Sequence, residues 1–203
     1  MAEIQVKEDL RIIKTRENLM HALLDLMQDK SLKDITVRDI CNKARCSRNT
    51  FYNHYAYKED LFDQVLNHVF AHMKMAFSPI VSHPSQMDDK VIRTYVNNIF
   101  DNFQAVAHVI RAMKANDAST AHTKLFELVY KNIIGMAPQL IADDGPYEIR
   151  LYLHYLVHGI TGFMMEWLTN PQGTESDAKE YLFKIHREPV RMIGQEMLKY
   201  LTP

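Results

Sequence analysis

The stretch TVRDICNKARCSRNTFYNHYAYKEDLF, residues 36–62, carries the strongest structural signal in the sequence. Thr36 precedes a short run of helical spacing that ends near Ala44, and its hydroxyl can cap that helix. A two-residue turn follows, and Ser47 can cap a second short helix that extends to about Tyr55. Two short helices joined in this way predict a helix-turn-helix, whose second helix enters the DNA major groove.

The second of these helices has two different sides. Phe51 and Tyr55 are four residues apart and share one side, which we expect to pack on Ile40. Arginine and asparagine side chains can bond guanine and adenine with two hydrogen bonds each, and hydroxyls can bond phosphate oxygens. The side opposite Phe51 carries side chains of these three kinds: Arg48, Asn49, Tyr52 and Asn53. The alternative is that the two helices are ordinary surface helices that do not bind DNA.

The charge of the chain is unevenly distributed. The whole sequence has a formal charge of −1, so no general basic excess indicates nucleic acid. Residues 36–58 contain five basic residues against Asp39 alone, a local charge of +4. The basic charge is therefore concentrated where a phosphate backbone would lie. The basic residues are Arg38, Lys43, Arg45, Arg48 and Lys58.

Residues 36–62 resemble the DNA-binding domain of the TetR family of regulators, and the resemblance extends from about Thr15 to Leu66. Its most specific part is SRNTFYNHY, residues 47–55, followed by KEDL, residues 58–61. The resemblance implies phosphate contacts by Thr36, Tyr52, His54 and Lys58. It implies base-edge contacts by Arg38, Arg48, Asn49, Thr50 and Asn53, with Ser47 in the same surface. Arg45 stands where the family usually has glycine, so either this residue accepts a positive φ or the turn differs.

Helical spacing continues through most of the chain, which has only six glycines and seven prolines and shows no alternating strand pattern. The sequence therefore predicts an all-α protein, with a three-helix helix-turn-helix domain followed by a helical ligand-binding and dimerisation domain. We call residues 1–66 the head and residues 78–203 the body, joined by a connecting helix at about residues 58–77. Further helices are predicted at about residues 90–102, 103–114, 120–136, 147–169 and 176–201, the last of them kinked or split at Pro189.

The last two long helices are the candidates for a dimer interface. Residues 151–168, LYLHYLVHGITGFMMEWL, are apolar nearly all around and should be buried on more than one side. In the TetR family the last two long helices form a four-helix interface, and this pair resembles them. Packing within one chain is the alternative. The predicted interface residues are Leu156, Gly159, Gly162, Phe163, Trp167, Ile185, Ile193 and Met197.

The body also offers a candidate effector pocket, because apolar cavities with a few hydroxyls suit small hydrophobic molecules. Its predicted lining residues, each of which taken alone is better explained as a core residue, are Tyr95, Ile99, Phe103, Met113, Phe126, Tyr130 and Tyr152. Two histidine pairs, His68 with His72 and His154 with His158, have chelating spacing but no third ligand, so we predict no metal site.

Other functional classes have little support. The sequence has no glycine-rich phosphate loop, nucleophile elbow or paired-carboxylate motif, so we expect neither an enzyme nor a cofactor. We find no signal peptide, and two cysteines suit a reducing cytoplasm. The expected partners are double-stranded DNA with a palindromic site, a second copy of the chain and a small effector, with no membrane. GITGFMMEWLTNPQG, residues 159–173, resembles a C-terminal subfamily that contains both repressors and a co-activator type, so a protein-interaction module stays an alternative.

Overall fold

The computed structural model describes residues 2–76, 87–136 and 146–201. Within these ranges the chain forms nine α-helices and a single 3-10 turn at Leu32–Asp34, with no strand. This confirms the predicted all-α fold. The helices are α1 (Ala2–Leu26), α2 (Val37–Ala44), α3 (Arg48–Tyr52), α4 (Lys58–Ala76), α5 (Asp89–Ala105), α6 (Ala107–Asn116), α7 (Ala118–Met136), α8 (Tyr147–Thr169) and α9 (Glu175–Leu201).

The head is held together by side chains that α1, α2 and α3 direct inward. Leu19 and Leu23 lie one turn apart on α1 and are completely buried. They belong to the same apolar cluster as Ile40 of α2 and Phe51 of α3, both also completely buried. The predicted packing of Phe51 on the first helix of the motif is therefore confirmed.

The connecting helix α4 contributes to the interiors of both the head and the body. Leu61, Val65, Val69 and Met73 repeat every four residues along one side of α4, and all four are buried. This helix packs against α1 of the head and against α5 and α7 of the body. The buried side chains of the head and most of those of the body consequently form one continuous apolar cluster.

Helices α8 and α9 pack along each other, but part of their surface stays open in the single chain. Leu151 and Tyr155 of α8 are 51% and 61% exposed, although burial on more than one side was predicted. Helix α9 carries similar groups on its open side. They are Tyr181, Ile185 and Met192.

One predicted helix limit was wrong, and of the kink or split predicted at Pro189 the split does not occur. The second helix of the motif ends at Tyr52 rather than near Tyr55, because Asn53 is its C-cap and the chain turns there. Helix α9 is not split, since it continues through Pro189 from Glu175 to Leu201. Proline lacks the N–H that would bond Ile185 one turn earlier. Ile185 is exposed, so water can satisfy its carbonyl.

No described helix is long and apolar enough to cross a membrane.

Candidate nucleic-acid interface

Helix α2 begins with a reciprocal pair of hydrogen bonds. The Asp39 N–H donates to the Thr36 hydroxyl oxygen at 3.2 Å, and the Thr36 N–H donates to Asp39 Oδ2 at 2.9 Å. This capping box satisfies two backbone donors that a helix start leaves unpaired. The bonds from Thr36 hold the pKa of the Asp39 carboxyl below its usual value. The Thr36 hydroxyl also donates to the Asp39 carboxylate, so its predicted phosphate contact has an internal competitor.

The turn between α2 and α3 contains a residue in the left-handed backbone conformation, which was one of the two outcomes predicted for Arg45. Arg45 has φ 54° and ψ 45° and is the only non-glycine residue with positive φ among those described. The next N–H, of Cys46, donates to the Cys41 carbonyl at 3.0 Å and closes the helix end. The arginine therefore takes the conformation that glycine usually supplies, and the turn keeps its geometry.

Helix α3 separates its buried and exposed groups as predicted. Its N-cap, Ser47, accepts the Thr50 N–H at 3.0 Å. Phe51 and Tyr55 are buried, and the Tyr55 hydroxyl donates to Gln64 of α4. Burial raises the pKa of that tyrosine, so the hydroxyl keeps its proton at neutral pH. These contacts hold α3 so that its other side is fully available to solvent: Arg48, Asn49, Tyr52 and Asn53 are exposed.

The other predicted DNA contacts lie around this surface. Arg38 of α2 is exposed, and Thr50 and His54 are half-buried at the edge of α3. Thr50 Oγ1 lies 2.9 Å from Ser47 Oγ, so these two hydroxyls bond each other. The structure places the predicted residues in one region of the head, and their contacts with DNA remain predictions.

Lys58, the first residue of α4, has an unexpected arrangement. Its ammonium donates to three backbone carbonyls between 2.7 and 3.1 Å away, those of Leu32, Lys33 and Ile35. An ammonium has three hydrogens, so all of them are used in the free protein. Lys58 thus fixes the segment that leads into α2. The phosphate contact of its side chain stays a prediction, and it requires exchange of a carbonyl for a phosphate oxygen.

Asn116, the last residue of α6, joins body to head and was not singled out from the sequence. Its Nδ2 donates to the carbonyls of Met27 and Lys30 at 3.3 and 2.5 Å. Its Oδ1 accepts the Leu32 N–H at 3.0 Å. The sequence shows Asn116 only as a helix-terminating residue, because its partners lie more than 80 residues away along the chain.

The predicted pocket residues do not come together in one place. Tyr95 and Ile99 of α5 line an apolar cavity of about 210 Å³ that α8 and α9 complete. Phe103 and Met113 are core residues outside it. Phe126 and Tyr130 of α7 instead pack on histidines of α8, with ring centroids 3.9 Å apart for Phe126–His158 and 4.5 Å for Tyr130–His154. Tyr152 packs on a small cluster around Ile149.

The predicted dimer residues are also divided. Leu156 and Ile193 are buried within their own chain, and Phe163 and Trp167 are half-buried against Phe100. Ile185 is exposed.

Two glycines of α8 were also predicted in the interface. Gly159 lies close to α9, since a Cβ there would be 3.1 Å from His186 Nε2. Gly162 has open space. The side chain of Met197 lies outside the described residues.

The histidines of the two pairs contact other aromatic rings. His68 and His72 have ring centroids 4.9 Å apart, and His158 stacks between Phe126 and His122. Among the side chains that the structure describes, no group of three histidine, cysteine or acidic residues could hold a metal ion.

Comparison with known proteins gives matches to bacterial transcription regulators. Residues 19–65 match the model of bacterial regulatory proteins of the tetR family. The uncharacterized regulator YxbF of Bacillus subtilis is 38% identical over 76 residues, which are 35% of this chain and 20% of YxbF. The regulator EthR of Mycobacterium tuberculosis is 32% identical over 113 residues, 55% of this chain and 49% of EthR. The matched region thus spans about half or less of these curated relatives.

Two further proteins are relevant. The transcriptional activator DhaS of Lactococcus lactis is 34% identical over 61 residues, 30% of this chain and 33% of DhaS. The crystal structure of a TetR transcriptional regulator from Streptococcus agalactiae has a TM-score of 0.58 and 20% identity. It covers 89% of this chain and 98% of that one, so the likeness of fold includes the body.

Proposed function

We propose that this chain, which belongs to the TetR family of bacterial regulatory proteins, is a homodimeric transcription regulator that binds a palindromic operator. In this proposal it acts as a repressor in the cytoplasm and leaves DNA when a small effector binds the body. The observation that carries the proposal is the exposed outer side of α3. Phe51 and Tyr55 fix this helix from behind, so that Arg48, Asn49 and Tyr52 project into solvent.

The exposed groups divide by chemistry into two roles. Arg48 and Asn49 carry donors that fit purine edges in the major groove. The Tyr52 hydroxyl suits a phosphate oxygen, which positions the helix without reading sequence. Lys58 supports both roles indirectly, because its three carbonyl contacts hold the entry to α2.

The open side of α8 and α9 supports a homodimer. Leu151 and Tyr155 share one side of α8, and Gly162, seven residues after Tyr155, lies on that same side with no neighbour within 4 Å. Exposed apolar side chains grouped in this way favour association. A two-fold dimer would present two copies of α3 about 34–36 Å apart, which is one turn of DNA.

Contacts of α6 offer a route from the body to the head. Arg111 Nε donates to the Leu168 carbonyl of α8 at 2.7 Å, and Lys114 Nζ donates to the Thr169 hydroxyl at 2.6 Å. Asn116, at the end of the same helix, holds the segment before α2. An effector that shifts α8 would therefore move α6 and the head, and a coupling of about 1–3 kcal/mol is typical of such proteins.

A binding experiment with the purified chain tests the proposal. Genomic DNA fragments are incubated with the protein alone, retained fragments are sequenced, and the enriched site is checked by gel shift. We expect a palindromic site that binds one dimer. Failure to retain any sequence above background would contradict a self-sufficient DNA-binding regulator.

A co-activator or interaction module is the second candidate, and one comparison favours it. DhaS, which matches 61 residues of this chain, is described as a transcriptional activator. In this alternative the chain binds a related partner protein through its body and needs that partner to bind DNA. DNA retention only after addition of cell extract, together with a reporter that is activated, would favour the alternative over the repressor.

A further inference from the structure

The body cavity is small, apolar and formed by three helices with one side chain from α7. Its volume of about 210 Å³ exceeds the roughly 150 Å³ of an apolar protein cavity that stays dry and accepts benzene. It therefore has room for one ring and a short substituent. None of the lining residues that the structure describes carries a formal charge when histidine is neutral, and most are aliphatic, for example Ile92, Val96, Ile99, Leu153, Val157 and Leu182.

His186 of α9 provides a polar group in this wall, and its hydrogen bond fixes its tautomer. The ring is only 5% exposed, and Nδ1 lies 3.2 Å from the Leu182 carbonyl oxygen. A carbonyl only accepts, so Nδ1 must carry the hydrogen. Burial lowers the pKa of this histidine, which keeps the ring neutral at pH 7. Nε2 is then a hydrogen-bond acceptor.

The surroundings of Nε2 leave this acceptor available. Nε2 has no hydrogen-bond donor among the described residues, and it is not completely enclosed. It faces Gly159 of α8, where a Cβ would lie only 3.1 Å away. The missing side chain at Gly159 thus gives the imidazole its position between α8 and α9.

We propose that this cavity binds a small uncharged molecule, about the size of a monosubstituted benzene, with one hydroxyl or amide N–H that donates to His186 Nε2. The inference rests on the effector role proposed above and names the chemical class of the effector. An ionised group would meet no opposite charge among the described lining residues, and its burial would be strongly unfavourable. A molecule with only acceptors would leave Nε2 unpaired.

Three probes of similar size test this chemistry on the full-length chain without DNA. Toluene, benzyl alcohol and benzoate are titrated while protein-observed NMR shifts are recorded. We expect benzyl alcohol to bind about fivefold tighter than toluene, the effect of one neutral hydrogen bond, and benzoate not to bind. His186→Leu should remove the preference for benzyl alcohol while toluene still binds.

A second variant shows whether the probes bind in the cavity, and it keeps the test valid if His186→Leu does not fold. Ile99→Phe places extra volume in the cavity and should abolish binding of toluene and benzyl alcohol. Gln104→Phe is the matched control, since it adds the same ring at an exposed position of α5 outside the cavity, and it should leave both affinities unchanged. Equal affinities for toluene and benzyl alcohol in the unmodified chain would overturn the proposal. Binding that survives in Ile99→Phe, or no binding of any probe, would overturn it as well.

Gel shifts with and without benzyl alcohol separate this inference from the regulatory role. Release of operator DNA that depends on His186 supports both. Benzyl alcohol that binds in a His186-dependent way without affecting DNA binding supports the cavity chemistry and contradicts effector control through this site.

Discussion

The Asn116 carboxamide oxygen at the end of α6 accepts the backbone N–H of Leu32, 84 residues away in sequence, at 3.0 Å. The same side chain donates to the carbonyls of Met27 and Lys30. The next residue, Asp117, caps α7 by accepting the Thr120 N–H at 3.1 Å. Two consecutive residues thus link the head on one side and the body on the other.

Replacement of this carboxamide should loosen the head. In Asn116→Asp the acceptor for Leu32 remains, but a carboxylate oxygen replaces the donor that faces two carbonyls. We expect stability to fall by about 1–3 kcal/mol and hydrogen exchange at residues 27–35 to accelerate, with α8 unchanged. Asn97→Asp, an exposed site on α5, is the charge-matched control. Unaltered exchange at residues 27–35 would show that the contact does not hold the head.

The positive φ of Arg45 predicts a stabilising substitution. Arg45→Gly removes the Cβ that disfavours φ 54° and should raise the free energy of unfolding by up to about 1 kcal/mol. Urea denaturation measures the change. Arg45→Ala is the control, because it removes the charge but keeps the Cβ. An equal gain in both variants would attribute the effect to charge instead of backbone strain.

The two proposed roles on α3 predict different binding defects. Tyr52→Ala should weaken binding to operator and random DNA alike, because a phosphate contact is lost. Arg48→Ala should cost about 1–3 kcal/mol on the operator and much less on random DNA. Fluorescence anisotropy with both duplexes at one salt concentration measures the difference. Identical losses for the two variants on both duplexes would contradict the division of roles.

A charge introduced on the exposed side of α8 should make the protein monomeric. Leu151→Glu puts a charge among apolar side chains and should weaken dimerisation by roughly 2–5 kcal/mol, as measured by sedimentation velocity. Met75→Glu changes an equally exposed residue of α4 and should leave the dimer intact. If both variants sediment as the unmodified chain does, the dimer uses another surface.

Histidines between α1, α4 and α6 predict a loss of stability in acid. Burial, followed by repulsion from neighbouring histidines, lowers the pKa values of His68 and His108. The unfolded chain therefore takes up protons first, and the free energy of unfolding should decrease as the pH falls below about 6.5. His68→Gln combined with His108→Gln should reduce this dependence, as measured by urea midpoints at pH 8.0 and 5.5. An unchanged dependence would exclude these two histidines as its source.

The sequence predicted structure best where the contacts join residues only three or four positions apart. The spacing of Phe51 and Tyr55 was sufficient to predict which side of α3 is buried, because neighbours on a helix follow from its 3.6-residue turn. Capping by Thr36 and Ser47 was also predictable, since the partners are only three residues away.

Contacts between distant helices were not predictable in this way. The spacing of Phe126 and Tyr130 shows that they share a side of α7, but not that this side meets His154 and His158 instead of a cavity. Gly159 suggested a close helix approach, and only the fold shows that His186 of the same chain is the neighbour. The family resemblance implied that Lys58 contacts a DNA phosphate. Its carbonyl partners could not be predicted, because they depend on how the loop after α1 folds back.

The shared interior along α4 limits how head and body could be recombined with parts of other proteins. Val65 and Met73 of α4 belong to one apolar cluster that contains buried side chains of both units. A chimera that joins a foreign helix-turn-helix to this body must match side chains across α4 as well as supply a new recognition helix. If α3 reads DNA as proposed, its sequence preference can therefore be exchanged at the surface of α3 more readily than by replacing the whole head.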